Sequence, residues 1–412
     1  MVAFSLSQYA KAITGMRESL SNSWDSTRKA LIACLLVSCY ENLSGRYVSA
    51  MTHARGGCRL MRDWIMVQPP SSRGRGCLGS PAPDTIEDSI VQAFFRLNMQ
   101  DIIENDQRPS GIQAELKNEA TSILENMPEM FFNLKEASQY LTLLEARTSQ
   151  YLHDLNYWSQ LNKPDHEYEK PSMEGALIKP DAEYVSLQAE AGERLLQFKR
   201  WNDAFRLVRK KNSQDPRPIV EAEVLYIHWI TARASLIKAT THRSESVVDP
   251  LLEGHRLLVK TARSEIELLH MVLPGLPIAL ATPYTNDFGI IPHLHKVARF
   301  CRDHLVRREA IALLRRVFWR EGVWCSQKTA DFDEQLLQIE ESGIERAEKE
   351  VVYEIPQEAM IASITIPNGQ EKISSMICSR GRGFECQRIH FPPGQEIEIA
   401  IVVASSALIL YI

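Results

Sequence analysis

Residues 284–344 read YTNDFGIIPHLHKVARFCRDHLVRREAIALLRRVFWREGVWCSQKTADFDEQLLQIEESGI. Apolar residues recur here at helical spacing in three successive runs. Pro292 suits the first turn of a helix, where its missing N–H costs nothing, and Leu294, Val297, Ala298 and Cys301 then fall on one stripe. Asp303 is placed to cap a second helix, whose core face is Val306, Ala310, Leu313, Leu314 and Val317. Gly322 is expected to end that helix, between Trp319 and Trp324, and a third helix carries Phe332, Leu336, Leu337 and Ile339.

Arg307, Arg308, Arg315 and Arg316 lie off the core face of the second helix. They form a candidate basic face for an acidic partner or a phosphate. The plainer reading is a solvated helix side, with guanidiniums paired to Glu309, Glu340 or Glu341.

Outward from this stretch the chain continues to read as helix. Helices are expected over Leu6 to Leu20, Asp25 to Cys39, Tyr47 to Trp64 and Asp84 to Asn105, the last opened by a capping box of Asp84 and Glu87. Further helices run to Leu161 from the neighbourhood of Glu136, then over Ala182 to Lys211, Ala222 to Thr240 and Leu251 to Leu273. Pro216 and Pro218 are expected to stop the helix over Ala182 to Lys211. Two segments break the pattern: PPSSRGRGCLGSPAP at 69–83, and KPDHEYEKPSMEGALIKP at 163–180. After Val351 the β-branched content rises, and strands are expected at 351–353, 362–366 and 397–412. The apolar run at 399–412 is shorter than the roughly 20 residues of a membrane-spanning helix.

The expected fold is therefore all-α: a multi-helix array of antiparallel helix pairs with a small irregular or β C-terminal tail. The expected division is N-terminal helices at 1–68, a linker at 69–84, a helical domain at 85–345 and the tail at 346–412.

The 412 residues carry a net charge of −5, so no global basicity announces nucleic acid. Arg73 and Arg75 in the first linker are too few for phosphate-driven affinity. The eight cysteines are scattered without a C-x-x-C pair, so neither a disulfide framework nor a zinc site is expected, and the N-terminus lacks a signal-peptide apolar core. An intracellular, reducing compartment follows. His293 and His295, two apart on a helix, point in different directions and cannot share a metal as histidines four apart do. Cys301 and His304 can touch, but Cys301 lies on the apolar stripe. The aromatic residues Trp158, Trp201, Trp229, Trp319, Trp324 and Tyr226 read first as core and second as the lining of an effector pocket. No catalytic motif, P-loop or metal-binding helix motif is present, so the chain is not expected to be an enzyme.

The order FGIIP (288–292), CRD (301–303), RREAI (307–311), LLRR (313–316), REG (320–322), Trp324 and IEE (339–341) resembles the fungal-specific regulatory domain of zinc-cluster transcription factors. The resemblance extends to the helix pair over 30–61, to AFFRLNMQ at 93–100, and to Leu196, Trp201, Ala204 and Phe205. It implies a nuclear transcription regulator, of a kind that often serves a metabolic or secondary-metabolite gene cluster, with the cytoplasm as the other location. It implies protein partners: a homodimer, or a heterodimer with a full-length zinc-cluster factor. A small-molecule effector is a further expectation. The six-cysteine zinc cluster of that family is not in this sequence. Neither zinc nor any other cofactor, direct DNA binding nor membrane association is therefore expected of it. The alternatives are a truncated gene product whose upstream exon carries the zinc cluster, and an unrelated helical enzyme.

Overall fold

The computed structural model describes residues 7–15, 26–69, 79–104, 121–161, 182–210, 217–240, 251–272, 284–285, 289–322, 324–342, 354–356, 359–365, 372–373, 375–380, 385–390 and 397–398. A short helix at 7–15 precedes ten longer helices among the described residues. These are α1 (Ser26–Leu43), α2 (Tyr47–Met66), α3 (Asp88–Glu104), α4 (Leu134–Leu161), α5 (Ala182–Arg209), α6 (Arg217–Thr240), α7 (Leu252–Val272), α8 (Ile291–Phe300), α9 (His304–Arg316) and α10 (Ser326–Glu341). The strands are β1 (Tyr284–Thr285), β2 (Arg320–Glu321), β3 (Trp324–Cys325), β4 (Ile361–Thr365), β5 (Lys372–Ile373), β6 (Ser375–Arg380), β7 (Glu385–His390) and β8 (Ile397–Glu398). The body is all-α and the sheet structure is small, as the sequence leads one to expect. Among the described residues no helix is long and apolar enough to cross a membrane.

The chain divides into two compact units, 1–121 with 284–287, and 122–283 with 288–412. In the first, α1 and α2 form a helical hairpin. Gly45 takes φ 76°, the left-handed region that glycine enters without penalty, and the Arg46 amide returns to the Glu41 carbonyl at 2.8 Å. Leu31, Ala54, Met61, Ile86, Ile90, Val91, Phe94 and Leu97 make one core from all three helices. Phe94 lies against Gly57, where even a methyl group would stand 2.2 Å from the ring. This close packing is why α3 belongs with α1 and α2, and why the expected boundary at the 69–84 linker does not divide the units. Residues 70–78 of that linker, and the second linker at 163–180, lie outside the described residues.

Three boundaries differ from expectation. Helix α3 starts at Asp88, not Asp84: a turn with Ile86 bonded to Ala82 occupies the preceding residues, and the Asp88 carboxyl accepts from the Ser80 amide at 2.8 Å. Helix α6 starts at Arg217, not Ala222, with Pro218 in its first turn where proline fits, and α5 ends at Arg209 before both prolines. Gly322 does not end α9, which stops at Arg316; with φ 54° it turns the chain between β2 and β3, where Glu321 pairs with Trp324.

In the second unit α4, α5 and α6 pack pairwise, with Trp201 stacked on Phe205 at 4.4 Å between ring centres. The buried indole N–H of Trp201 donates to the Ala137 carbonyl at 2.9 Å, and that of Trp229 donates to Phe198 at 2.8 Å. Helix α7 bridges α6 to α9, and α8, α9 and α10 pack on one another. The Asp303 carboxylate caps α9 by accepting from Leu305 at 3.0 Å and Val306 at 3.2 Å. The expected core face of α9, Val306 through Val317, is buried throughout.

The tail follows as an antiparallel sheet in the order β4–β6–β7, with β5 paired to β8. The strand expected at 362–366 appears at 361–365. The expected strand at 351–353 and the run 399–412 lie outside the described residues.

Candidate functional site

Helix α8 is the best place to begin, because its polar residues face inward. His295 and Arg299 lie four apart on it; Asp333 and Glu340 lie seven apart on α10. Both spacings keep the pair on one helix face, so the two helices meet as a ladder of buried ions. His295 Nδ1 stands 2.8 Å from Asp333 Oδ1, and Arg299 Nη1 stands 3.3 Å from Glu340 Oε1. Arg307 enters from α9 and brings Nη1 to 2.6 Å from Glu340 Oε2, an ion contact outside hydrogen-bonding angles. Its Nε donates to the Ala298 carbonyl. Arg299, Arg307 and Glu340 are at most 1 % exposed. Two guanidiniums thus share one carboxylate. The remaining Glu340 capacity is used by the tail: the Ile361 amide donates to Oε1 at 2.8 Å.

The basic face expected on α9 must accordingly be corrected. Arg307 is not on it; it is fully buried against Glu340. Periodicity places Arg307 beside the core stripe, and only the neighbouring α10 supplies the carboxylate that draws it inward. Arg308, Arg315 and Arg316 are exposed. Arg308 pairs with Glu341, and Arg315 stands 3.0 Å from Asp331. Glu309 pairs instead with Arg263 of α7.

A second buried carboxylate, Glu321, anchors the start of α8. It accepts from the amides of Gly289 at 2.9 Å, Ile290 at 3.1 Å and Ile291 at 3.0 Å, and from the Trp319 indole at 2.7 Å. These are the unpaired donors of a helix N-terminus. Burial pushes the Glu321 carboxyl up, while the four donors act against that shift. Gly289 is required here, since a Cβ would meet Glu321 Oε1 at 2.4 Å. Nearby Glu265 on α7 is buried, and its carboxyl is held well above the ordinary range, first by burial and then by the charges of Glu321 and Glu223. A folded state that holds the proton tighter than the unfolded chain is most stable below the ordinary carboxyl pKa. That stability drains as pH rises through the folded value. Glu265→Gln is therefore expected to raise the melting temperature at pH 8 by several degrees and much less at pH 5, read by thermal circular dichroism.

On its other side α8 meets α6 and α7. His293 lies edge-on to His228 at 4.3 Å between ring centres, and His228 Nδ1 stands 2.9 Å from Glu145 Oε1. The two α8 histidines thus point to different neighbours, as their spacing requires. Burial first, then the charges of His228 and Lys296, holds the His293 imidazole well below its usual pKa, so it is neutral near pH 7. One turn on, Lys296 borders a small cavity between α6, α7 and α8. The cavity is lined by Ile230, Ser235, Lys238, Leu258, Val297 and Phe300, among others. Its interior holds about 30 Å³, and the hollow including its open mouth about 400 Å³. Burial pushes the Lys296 amine down to about 8.

None of the aromatic residues read as possible effector-pocket lining borders this cavity. Trp201 and Trp324 are core, Tyr226 stacks on Trp229 at 5.4 Å, and the Trp158 side chain lies outside the described residues. The cavity-lining residues escaped the sequence reading. Thr231, Ser235 and Lys238, at i, i+4 and i+7, form a polar stripe on α6 that could have signalled it. Cys301 and His304 are both buried. Among the described residues no cluster of three or more His, Cys, Asp or Glu side chains could hold a metal. No protein-family model matches the chain, and neither a curated protein nor a solved structure matches it.

Proposed function

We propose that this chain is a regulatory and interaction domain of the kind found in fungal zinc-cluster transcription factors. On this reading it acts in the nucleus by contacting a full-length zinc-cluster factor, or a second copy of itself, without catalysis and without DNA contacts of its own. The observation that carries the reading is the exposed side of α9. Leu305, Arg308, Ala312, Arg315 and Arg316 lie on one exposed stripe, and Leu305 is 49 % exposed. The exposed ion pair Arg315–Asp331 is weak, on the order of 0–1 kcal/mol, and exchanges readily for a partner's carboxylate. Arg316 has no ion pair among the described residues. A basic stripe with an apolar residue at its end suits an acidic protein surface.

The residues of the resemblance support the same reading in another way. Gly289, Asp303, Arg307, Glu321 and Glu340 lock α8, α9 and α10 to one another. Ionisable groups engaged in holding helices together make a rigid platform. The experiment is co-purification of the chain with a zinc-cluster factor, together with a reporter assay. The double variant Arg315→Glu, Arg316→Glu should lose capture and reporter effect while keeping its melting temperature, and the unmodified chain should give no sequence-specific gel shift. Absence of both capture and reporter effect in the unmodified chain would sink the proposal.

A further inference from the structure

The cavity between α6, α7 and α8 is lined by two lysines and one histidine, His255, and by no carboxylate. Its hydroxyl groups are already committed as donors: Thr231 Oγ1 donates to Ile227 at 3.0 Å, and Ser235 Oγ donates to Thr231 at 3.0 Å. Lys238 Nζ lies 4.9 Å from the centre of the Phe300 ring. Among the described residues Lys296 has no hydrogen bond or ion pair; the carboxylate whose charge reaches it is Glu145, which is engaged with His228. A partly buried ammonium without a counter-ion is costly, and the protein meets that cost by weakening the amine's hold on its proton.

We propose that this cavity binds the carboxylate end of a short aliphatic acid, with the Lys296 ammonium as its counter-charge and Lys238 as a second cation. The size fits that class. An interior of 30 Å³ has room for about two water molecules, close to the bulk of one carboxylate group. The alkyl chain would lie toward the open side against Ile230, Leu258, Val297 and Phe300, which are apolar. A cation finds no acid on these walls. A phosphate would want more donors than Lys238, Lys296 and His255 provide, and more room than an interior of 30 Å³. The bound anion restores the partner that the buried ammonium lacks, so binding also strengthens the fold.

This site stands apart from the regulatory reading. Failure of partner capture would leave it intact, and failure of ligand binding would leave the partner surface intact. The test uses the full chain and three probes of equal length: butyrate, butylamine and butanol, titrated by calorimetry and by melting temperature. Butyrate should bind saturably in the millimolar range and raise the melting temperature, and butylamine and butanol should not. Lys296→Met should weaken butyrate by about tenfold or more, with a melting temperature equal to or above that of the parent. Ala234→Leu fills the cavity from α6 with Lys296 itself retained and should also abolish binding. Equal binding of butyrate and butanol, any saturable binding of butylamine, or undiminished butyrate binding by Lys296→Met overturns the proposal. If Lys296→Met does not fold, Ala234→Leu decides alone: undiminished butyrate binding by that variant overturns the proposal.

Discussion

Glu340→Ala is expected to destabilise the second unit by about 3–5 kcal/mol, the usual cost of removing one partner from a buried ion network. Arg299 and Arg307 are both at most 1 % exposed, and Glu340 is the carboxylate they share. Without it two guanidiniums face each other in a medium where water cannot screen them. The Ile361 amide also loses its acceptor, so the tail is released from α10 at that point. Urea titration followed by circular dichroism reads the loss of stability, and amide exchange at Ile361 reads the release. Glu340→Gln keeps the shape and one acceptor oxygen but not the charge, and should fall nearly as far. The triple variant Arg299→Met, Arg307→Met, Glu340→Met should recover most of the loss, because apolar residues of similar volume can replace a buried ion set at little cost. A Glu340→Ala protein within about 1 kcal/mol of the parent would contradict the ion-network account, since that is the range of exposed pairs.

The second large effect is at Glu321. Glu321→Ala should cost about 3 kcal/mol or more, because each buried donor left without an acceptor costs about 1–3 kcal/mol. Four donors lose their acceptor at once: three amides at the start of α8 and the Trp319 indole. Fraying of α8 should follow, with a shift in Trp319 fluorescence as its N–H loses its partner. Glu321→Gln retains one carbonyl oxygen and should lose about half as much. It should also differ from Glu340→Gln in kind. Burial already biases Glu321 toward its neutral form, so this site depends on acceptor atoms more than on charge. If Glu321→Ala unfolds with the parent's midpoint, the helix-start role assigned to this carboxylate is wrong.

These two carboxylates mark where reading the chain stops being enough. Both sit in stretches whose helices and turns are legible. Leu294, Val297, Ala298 and Cys301 are buried as their spacing predicts, and Asp303 caps α9 as its position before the apolar run predicts. Glu321, however, looks like one member of a charged loop, and Glu340 like one of two exposed helix acids. Arg307 and Arg308 are adjacent and chemically identical. One is wholly buried and the other exposed, because a helix turns by about 100° per residue: Arg307 points between α8 and α10, to the Ala298 carbonyl and Glu340, and Arg308 points to the rim of α10, at Glu341.

The boundary between the two units has the same origin. A proline- and glycine-rich segment reads as a divider, yet Phe94 fits against the bare backbone of Gly57 and ties α3 to the helices before it. The cavity at Lys296 is another such case, since its walls come from three helices with wide sequence separation.

Helical periodicity, capping residues and turn glycines are properties of near neighbours along the chain, so the all-α class, most helix limits and the core faces are legible in the amino-acid sequence by itself. Which ionisable groups are buried, which of them pair, and where a hollow remains depend on residues that meet only after the helices pack. Burial changes the cost of a charge by several kcal/mol, and that energy belongs to the packed neighbourhood, which no local stretch of sequence contains.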